Sequence, residues 1–121
     1  MNILVLDDDS DFAVSIAQLI EKMGHTVTVS TKCATARSLA DTTPFDVILA
    51  DVDLPDGDGR QTCGILRLDG ASQAAYIIAV TGRSDLEDDD FPGFDGYLRK
   101  PVTYDVLDHV LEEWRVAAGL D

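Results

Sequence analysis

Four groups of polar residues in this 121-residue chain each close an apolar run. Asp7-Asp8 follow ILVL, Asp51 follows VILA, Thr81 follows YIIAV, and Lys100-Pro101 follow GYLR. Brought to one place, they form a set suited to phosphoryl transfer: a nucleophilic carboxylate, a carboxylate pair, a hydroxyl and an ammonium. A carboxylate can attack phosphorus and form an acyl phosphate when nearby charge neutralises the approaching dianion. Asp51 is the candidate nucleophile, because the turn-rich run DVDLPDGDG that follows it would leave its carboxylate exposed. Asp7 and Asp8 would crowd onto it, and carboxylates so crowded repel. A hard divalent cation such as Mg²⁺, taking oxygen ligands and retaining waters, relieves that conflict. Lys100 adds a fixed positive charge opposite the metal, and Thr81 adds a hydroxyl donor. Pro101 pushes Lys100 out of helical dihedrals and permits a cis peptide. Singly, each residue has an ordinary reading as a cap, turn former or loop residue, so the weight lies on their joint order.

The elements that must position these residues are legible as alternating patterns. Residues 2–6, 46–50 and 76–80 are almost continuously apolar, as expected of strands covered on both faces. Residues 26–30, TVTVS, alternate, which suits an edge strand with one less covered face. A short fifth strand is predicted at 96–98, just before Lys100. Phe12, Ile16, Leu19, Ile20 and Met23 recur at helical spacing behind Ser10, a candidate N-cap, and Gly24 is a natural stop. Helices are also predicted at 32–41 and 59–68. Leu107, Val110, Leu111 and Trp114 form a terminal helical stripe behind Thr103. Five strand–helix units imply an α/β fold, a doubly wound parallel sheet with helices on both faces and right-handed crossovers. For the strand order 2-1-3-4-5, the reversal that marks the ligand crevice lies between the first and third strands, which lead into Asp7-Asp8 and Asp51.

Length and composition set the outer bounds. The chain suits one domain, 1–121, with 45% hydrophobic residues available for a core. Its 23 acidic and 9 basic residues give a net charge of -14, which opposes nucleic acid and anionic membrane surfaces as partners. Cys33 and Cys63 show no metal-clip or disulfide spacing and read as small buried apolar residues. His25 and His109 match no site position and read as surface residues. The opening NILVLDDD has no basic leader, and no apolar stretch reaches transmembrane length, so a cytoplasmic location is expected.

LVLDDD, VILADVDLPDGDG, AVTG and GYLRKP, in that order, resemble the receiver domain of two-component response regulators, the family that includes the bacterial chemotaxis regulator. The resemblance spans nearly the whole chain and implies a flavodoxin-like fold. It further implies that Asp51 is the phosphoacceptor, served by a histidine kinase or histidine phosphotransfer protein. Asp8, Asp51 and the backbone carbonyl of Asp53 would ligate Mg²⁺ directly, with Asp7 acting mainly through water. Lys100 would meet a phosphoryl oxygen. Thr81 would turn toward the phosphoryl group, and Tyr97, the switch aromatic, would rotate inward as output. Asp53 and Arg83 occupy positions that in the family tune acyl-phosphate hydrolysis, and an acid–base pair there could screen attacking water.

The segment from Thr81 to Lys100 is about one helical turn, ~3.6 residues, shorter than that pattern. A shortened fourth helix is therefore expected, started by the Ser84/Glu87 capping box and stopped by Pro92-Gly93. It lies on the face that commonly meets output partners, so the downstream partner is left open. The acids of 85–90 read as a solvated face.

Three rivals stand beside this reading. Asp51-Val52-Asp53 mimics the nucleophile motif of haloacid-dehalogenase-like phosphatases, but those place their acidic pair after the lysine, whereas here Asp7-Asp8 come first. An EF-hand needs an acid or amide where Pro55 stands. A pseudo-receiver would have lost part of the set Asp7, Asp8, Asp51, Thr81 and Lys100. The chain also fits a receiver module cut from a hybrid histidine kinase.

Overall fold

The three continuous apolar runs lie side by side. The computed structural model describes residues 1–51, 53–54, 57–58, 75–82 and 94–119. Strands β1 (Asn2–Leu6), β2 (Thr26–Ser30), β3 (Val47–Asp51), β6 (Tyr76–Thr81) and β7 (Gly96–Arg99) form one sheet in the order β2-β1-β3-β6-β7. Every pairing within it is parallel. This is the predicted order 2-1-3-4-5, with TVTVS at one edge and the short GYLR strand at the other. Two-residue strands β4 (Asp53–Leu54) and β5 (Gly57–Asp58) pair antiparallel within what the sequence suggested was only a turn-rich loop.

Alternation along the central strands divides the core in two. Ile3, Val5, Val47, Leu49, Ile78 and Val80 face helix α1 (Ser10–Lys22) and helix α3 (Tyr104–Ala117), which contribute Ile16, Ile20, Leu107 and Leu111. On the opposite face, Leu4, Leu6, Ile48, Ala50 and Ile77 pack with Phe45 and with Ala36 and Ala40 of helix α2 (Cys33–Thr42). Small alanines line the buried side of α2, whereas α1 and α3 contribute larger Ile and Leu side chains. Each fully buried Leu or Ile contributes about 1.5–3 kcal/mol relative to exposure. Helices thus cover both faces, as predicted. The predicted helix at 59–68, the shortened fourth helix, the acid run 85–90, Cys63 and Arg83 lie outside the described residues.

Helix ends differ from expectation in one place. The α1 N-cap is Asp9, not Ser10: its backbone is extended and its carboxylate accepts the N–H of Phe12 at 3.1 Å. A carboxylate also complements the partial positive charge of the helix start, so it outcompetes a hydroxyl one residue later. Gly24 ends the helix with φ 91°, a conformation that other residues adopt at a cost. Thr103 caps α3 as expected. That helix is fastened to the sheet by Trp114, whose ring stacks on Tyr76 at 4.5 Å and whose Nε1 donates to the carbonyl of Asp46 at 3.1 Å.

The strand ends also run further than the apolar runs. Asp51 and Thr81 are the last residues of β3 and β6 rather than the first residues of loops, and they pair in register with Val80 and Arg99. The neighbouring strands extend the ladder past the last apolar residue. Both polar side chains are therefore carried on rigid backbone.

Candidate functional site

At the carboxyl edge of the sheet the four signals meet. Asp7 follows β1 directly, and its N–H donates to the Ser30 carbonyl at 3.0 Å. Its Oδ1 accepts the N–H of Asp9 at 2.9 Å, tying the acid to the cap of α1. Asp7, Asp51 and Thr81 are buried, at 1%, 7% and 1% exposure, whereas Asp8 is exposed. The Asp51 carboxylate is thus not the exposed group expected from its loop, because the residue still belongs to the buried strand β3. Lys100 reaches over from the end of β7. Its N–H donates to the Thr81 carbonyl at 2.8 Å, and the peptide joining it to Pro101 is cis. Its Nζ lies 2.8 Å from Asp7 Oδ2 and 3.8 Å from Asp51 Oδ2.

Charge balance in this corner favours the ammonium. Burial works to lower the pKa of Lys100, but its contact with Asp7 and the negative charges of Asp51, Asp7 and Asp9 outweigh burial and raise it above 10.5. Lys100 is therefore a permanent cation at neutral pH. A third neighbour was not foreseen: the Phe12 ring, with its centroid 4.4 Å from Nζ. In the sequence Phe12 served only the apolar stripe of α1, and no spacing signal marked it as part of the site.

The acids fit a hard cation. Asp7, Asp8 and Asp51 each place a carboxylate oxygen within 4.8 Å of the others. Asp7 Oδ2 is buried, and the Lys100 ammonium at 2.8 Å is its ion-pair partner. An all-oxygen donor set with one exposed member leaves room for retained waters, as Mg²⁺ prefers. Asp53 opens β4, two residues beyond Asp51.

Tyr97 is 39% exposed on edge strand β7, with the Arg99 guanidinium 5.6 Å from its ring centroid. It is not a core aromatic in this state. The two histidines part company. His109 is exposed and lies 3.0 Å from Glu113, as a surface residue should. His25, expected at the surface, is half-buried and its Nδ1 lies 3.0 Å from the Met1 ammonium. Cys33 is buried, as expected.

The model of the response regulator receiver domain family matches residues 3–112. The chain belongs to that family. It is a receiver domain of the two-component type, which rules out the haloacid-dehalogenase-like alternative. Its relatives include the hybrid signal transduction protein dokA of Dictyostelium discoideum, 36% identical over 110 residues. That match covers 89% of this chain and 6% of dokA. The histidine-protein kinase BarA of Escherichia coli is 28% identical, over 99% of this chain and 13% of BarA. The receiver domain thus spans a small fraction of the length of these relatives. Among solved structures, the receiver domain of a Pseudomonas aeruginosa sensor histidine kinase superposes with a TM-score of 0.85 at 27% identity, covering 93% of this chain and 95% of that one. That protein holds a magnesium ion in its active site cleft. No helix among the described residues of this receiver domain is long and apolar enough to cross a membrane.

Proposed function

We propose that this receiver domain takes a phosphoryl group onto Asp51 from a phosphohistidine carried by a histidine kinase or histidine phosphotransfer protein. A carboxylate oxygen of Asp51 forms the new O–P bond as the N–P bond of the donor breaks. The departing imidazole nitrogen keeps the bonding pair and takes up a proton. The observation that carries this reading is the Lys100 ammonium, 3.8 Å from Asp51 Oδ2 at the buried end of β3. From there it meets charge that grows on the phosphoryl oxygens without first being drawn in from solvent.

Mg²⁺ held by Asp8, Asp51 and the Asp53 carbonyl, with Asp7 acting mainly through water, would offset the negative charge gathered at Asp51. Thr81, on the adjacent strand, donates its hydroxyl to the phosphorylated side chain. Tyr97 then moves from its exposed position toward the space that Thr81 leaves, and this is the output. Phosphate adds about -1.5 to -2 charges, enough to bias two preexisting loop arrangements. Asp53 and Arg83 set how fast water removes the phosphate. The domain acts on itself only, as a single unit, and no other substrate is turned over. A net charge of -14 argues for protein partners rather than nucleic acid or anionic membrane surfaces. The domain acts in the cytoplasm, where its phosphodonor is.

Phosphoramidate, a small donor with the same kind of P–N bond, provides the test. The expected result is one phosphoryl group per chain in Mg²⁺, lost in EDTA and found on the peptide containing Asp51. Label on another residue, or none with an intact fold, overturns the proposal.

A further inference from the structure

We propose that Phe12 is a positioning residue for Lys100, its ring face holding the ammonium at the phosphoacceptor. This rests on the reading of Asp51 as that acceptor. Lys100 ends a flexible four-carbon stem whose side chain is 24% exposed, so its place at the site needs to be fixed by contacts. Asp7 at 2.8 Å is one such contact, and the Phe12 centroid at 4.4 Å is another, well inside the ~6 Å reach of a cation–π attraction. The ring itself is held. The Phe12 N–H is bonded to the Asp9 cap, and the side chain packs against the core layer of α1 and α3, beside Asp7, Leu98 and Val102.

The chemistry of the contact suits the task. A ring face attracts the ammonium but offers no lone pair, so it competes poorly for the N–H groups. Those remain for Asp7, for Asp51 and then for a phosphoryl oxygen. A carboxylate in place of the ring would claim a donor and oppose transfer. A leucine would fill most of the same core volume and leave the ammonium held by its acidic partners alone. The aromatic character of Phe12 is thus required by the site rather than by the core.

A double-mutant cycle separates this role from a structural one, with acetyl phosphate as donor and saturating Mg²⁺. Phe12→Leu should slow labelling of Asp51 about three- to tenfold. Phe12→Tyr should restore the rate. In a Lys100→Met background, Phe12→Leu should have no further effect, because its contribution acts through the ammonium. Where labelling of that background is too slow, beryllofluoride affinity is read through the same cycle. Phe12→Met replaces the leucine variant if that one folds poorly. Wild-type rates in the aliphatic variant, or an equal loss with and without Lys100, overturn the proposal. Wild-type protein that takes no label on Asp51 overturns the acceptor reading instead.

Discussion

The ammonium of Lys100 lies 2.8 Å from Asp7, a full ångström nearer than its 3.8 Å separation from Asp51. The acid that neutralises the lysine is thus not the proposed phosphoacceptor. The same cation stands 3.8 Å from Asp51, within ion-pair range of the acceptor.

Removing the ammonium should therefore be felt first by Asp7. Lys100→Met leaves a buried carboxylate without its cation. Because the lysine is 24% exposed, the cost should fall below that of a fully buried broken pair. We expect a loss of about 1–2 kcal/mol in EDTA. Urea unfolding measures it, and saturating Mg²⁺ should shrink the difference.

Asp8 should behave in the opposite way. It is the exposed member of the acidic triplet and belongs to no observed ion pair among the described residues. Asp8→Asn should raise Tm in EDTA by about 1–3 °C, by relieving repulsion. It should also erase most of the Mg²⁺-dependent stabilisation, which for wild type is about 2.7 kcal/mol at a hundredfold excess over Kd. Thermal scans with and without Mg²⁺ show both effects.

Acidification should weaken the fold through His25. Burial, then the neighbouring Met1 ammonium, holds its pKa below 6.5. Between its folded pKa and 6.5 the unfolded chain binds more protons than the folded one, so this contribution is present above pH 6.5 and fades as pH falls. Compared with His25→Gln, wild type should lose about 1–3 °C more in Tm between pH 7.5 and 5.5. Equal slopes for the two proteins would remove His25 from the account.

The stack of Trp114 on Tyr76 should be a main fastening of α3. Trp114→Ala removes the ring contact and the hydrogen bond to the Asp46 carbonyl. The side chain is only half-buried, so the cost should be about 2–3 kcal/mol, below that of a core tryptophan. Trp114→Phe should lose about 1 kcal/mol, mainly the bond. Chemical denaturation gives both values.

Which parts of this were legible in the sequence follows from the range of the interactions. Strand order and edge position could be read because ILVL and VILA are apolar throughout, whereas TVTVS alternates, and burial imposes that difference residue by residue. The convergence of Asp7, Asp51, Thr81 and Lys100 followed from topology, since parallel strands place their carboxyl ends on one edge. The Asp9 cap was missed because Ser10 and Asp9 satisfy the same local rule, and charge decides between them. Phe12 beside Lys100, and His25 beside Met1, join residues distant in the chain by side-chain direction, which periodicity does not encode. The β4–β5 ladder was missed because its strands are only two residues long.

The central claim is that Asp51 is reversibly phosphorylated at this edge. Stoichiometric labelling with radiolabelled acetyl phosphate in Mg²⁺ tests it most directly, comparing wild type with Asp51→Asn. The account predicts one acid-labile phosphoryl group per wild-type chain and none in the variant. Undiminished label in Asp51→Asn would contradict it.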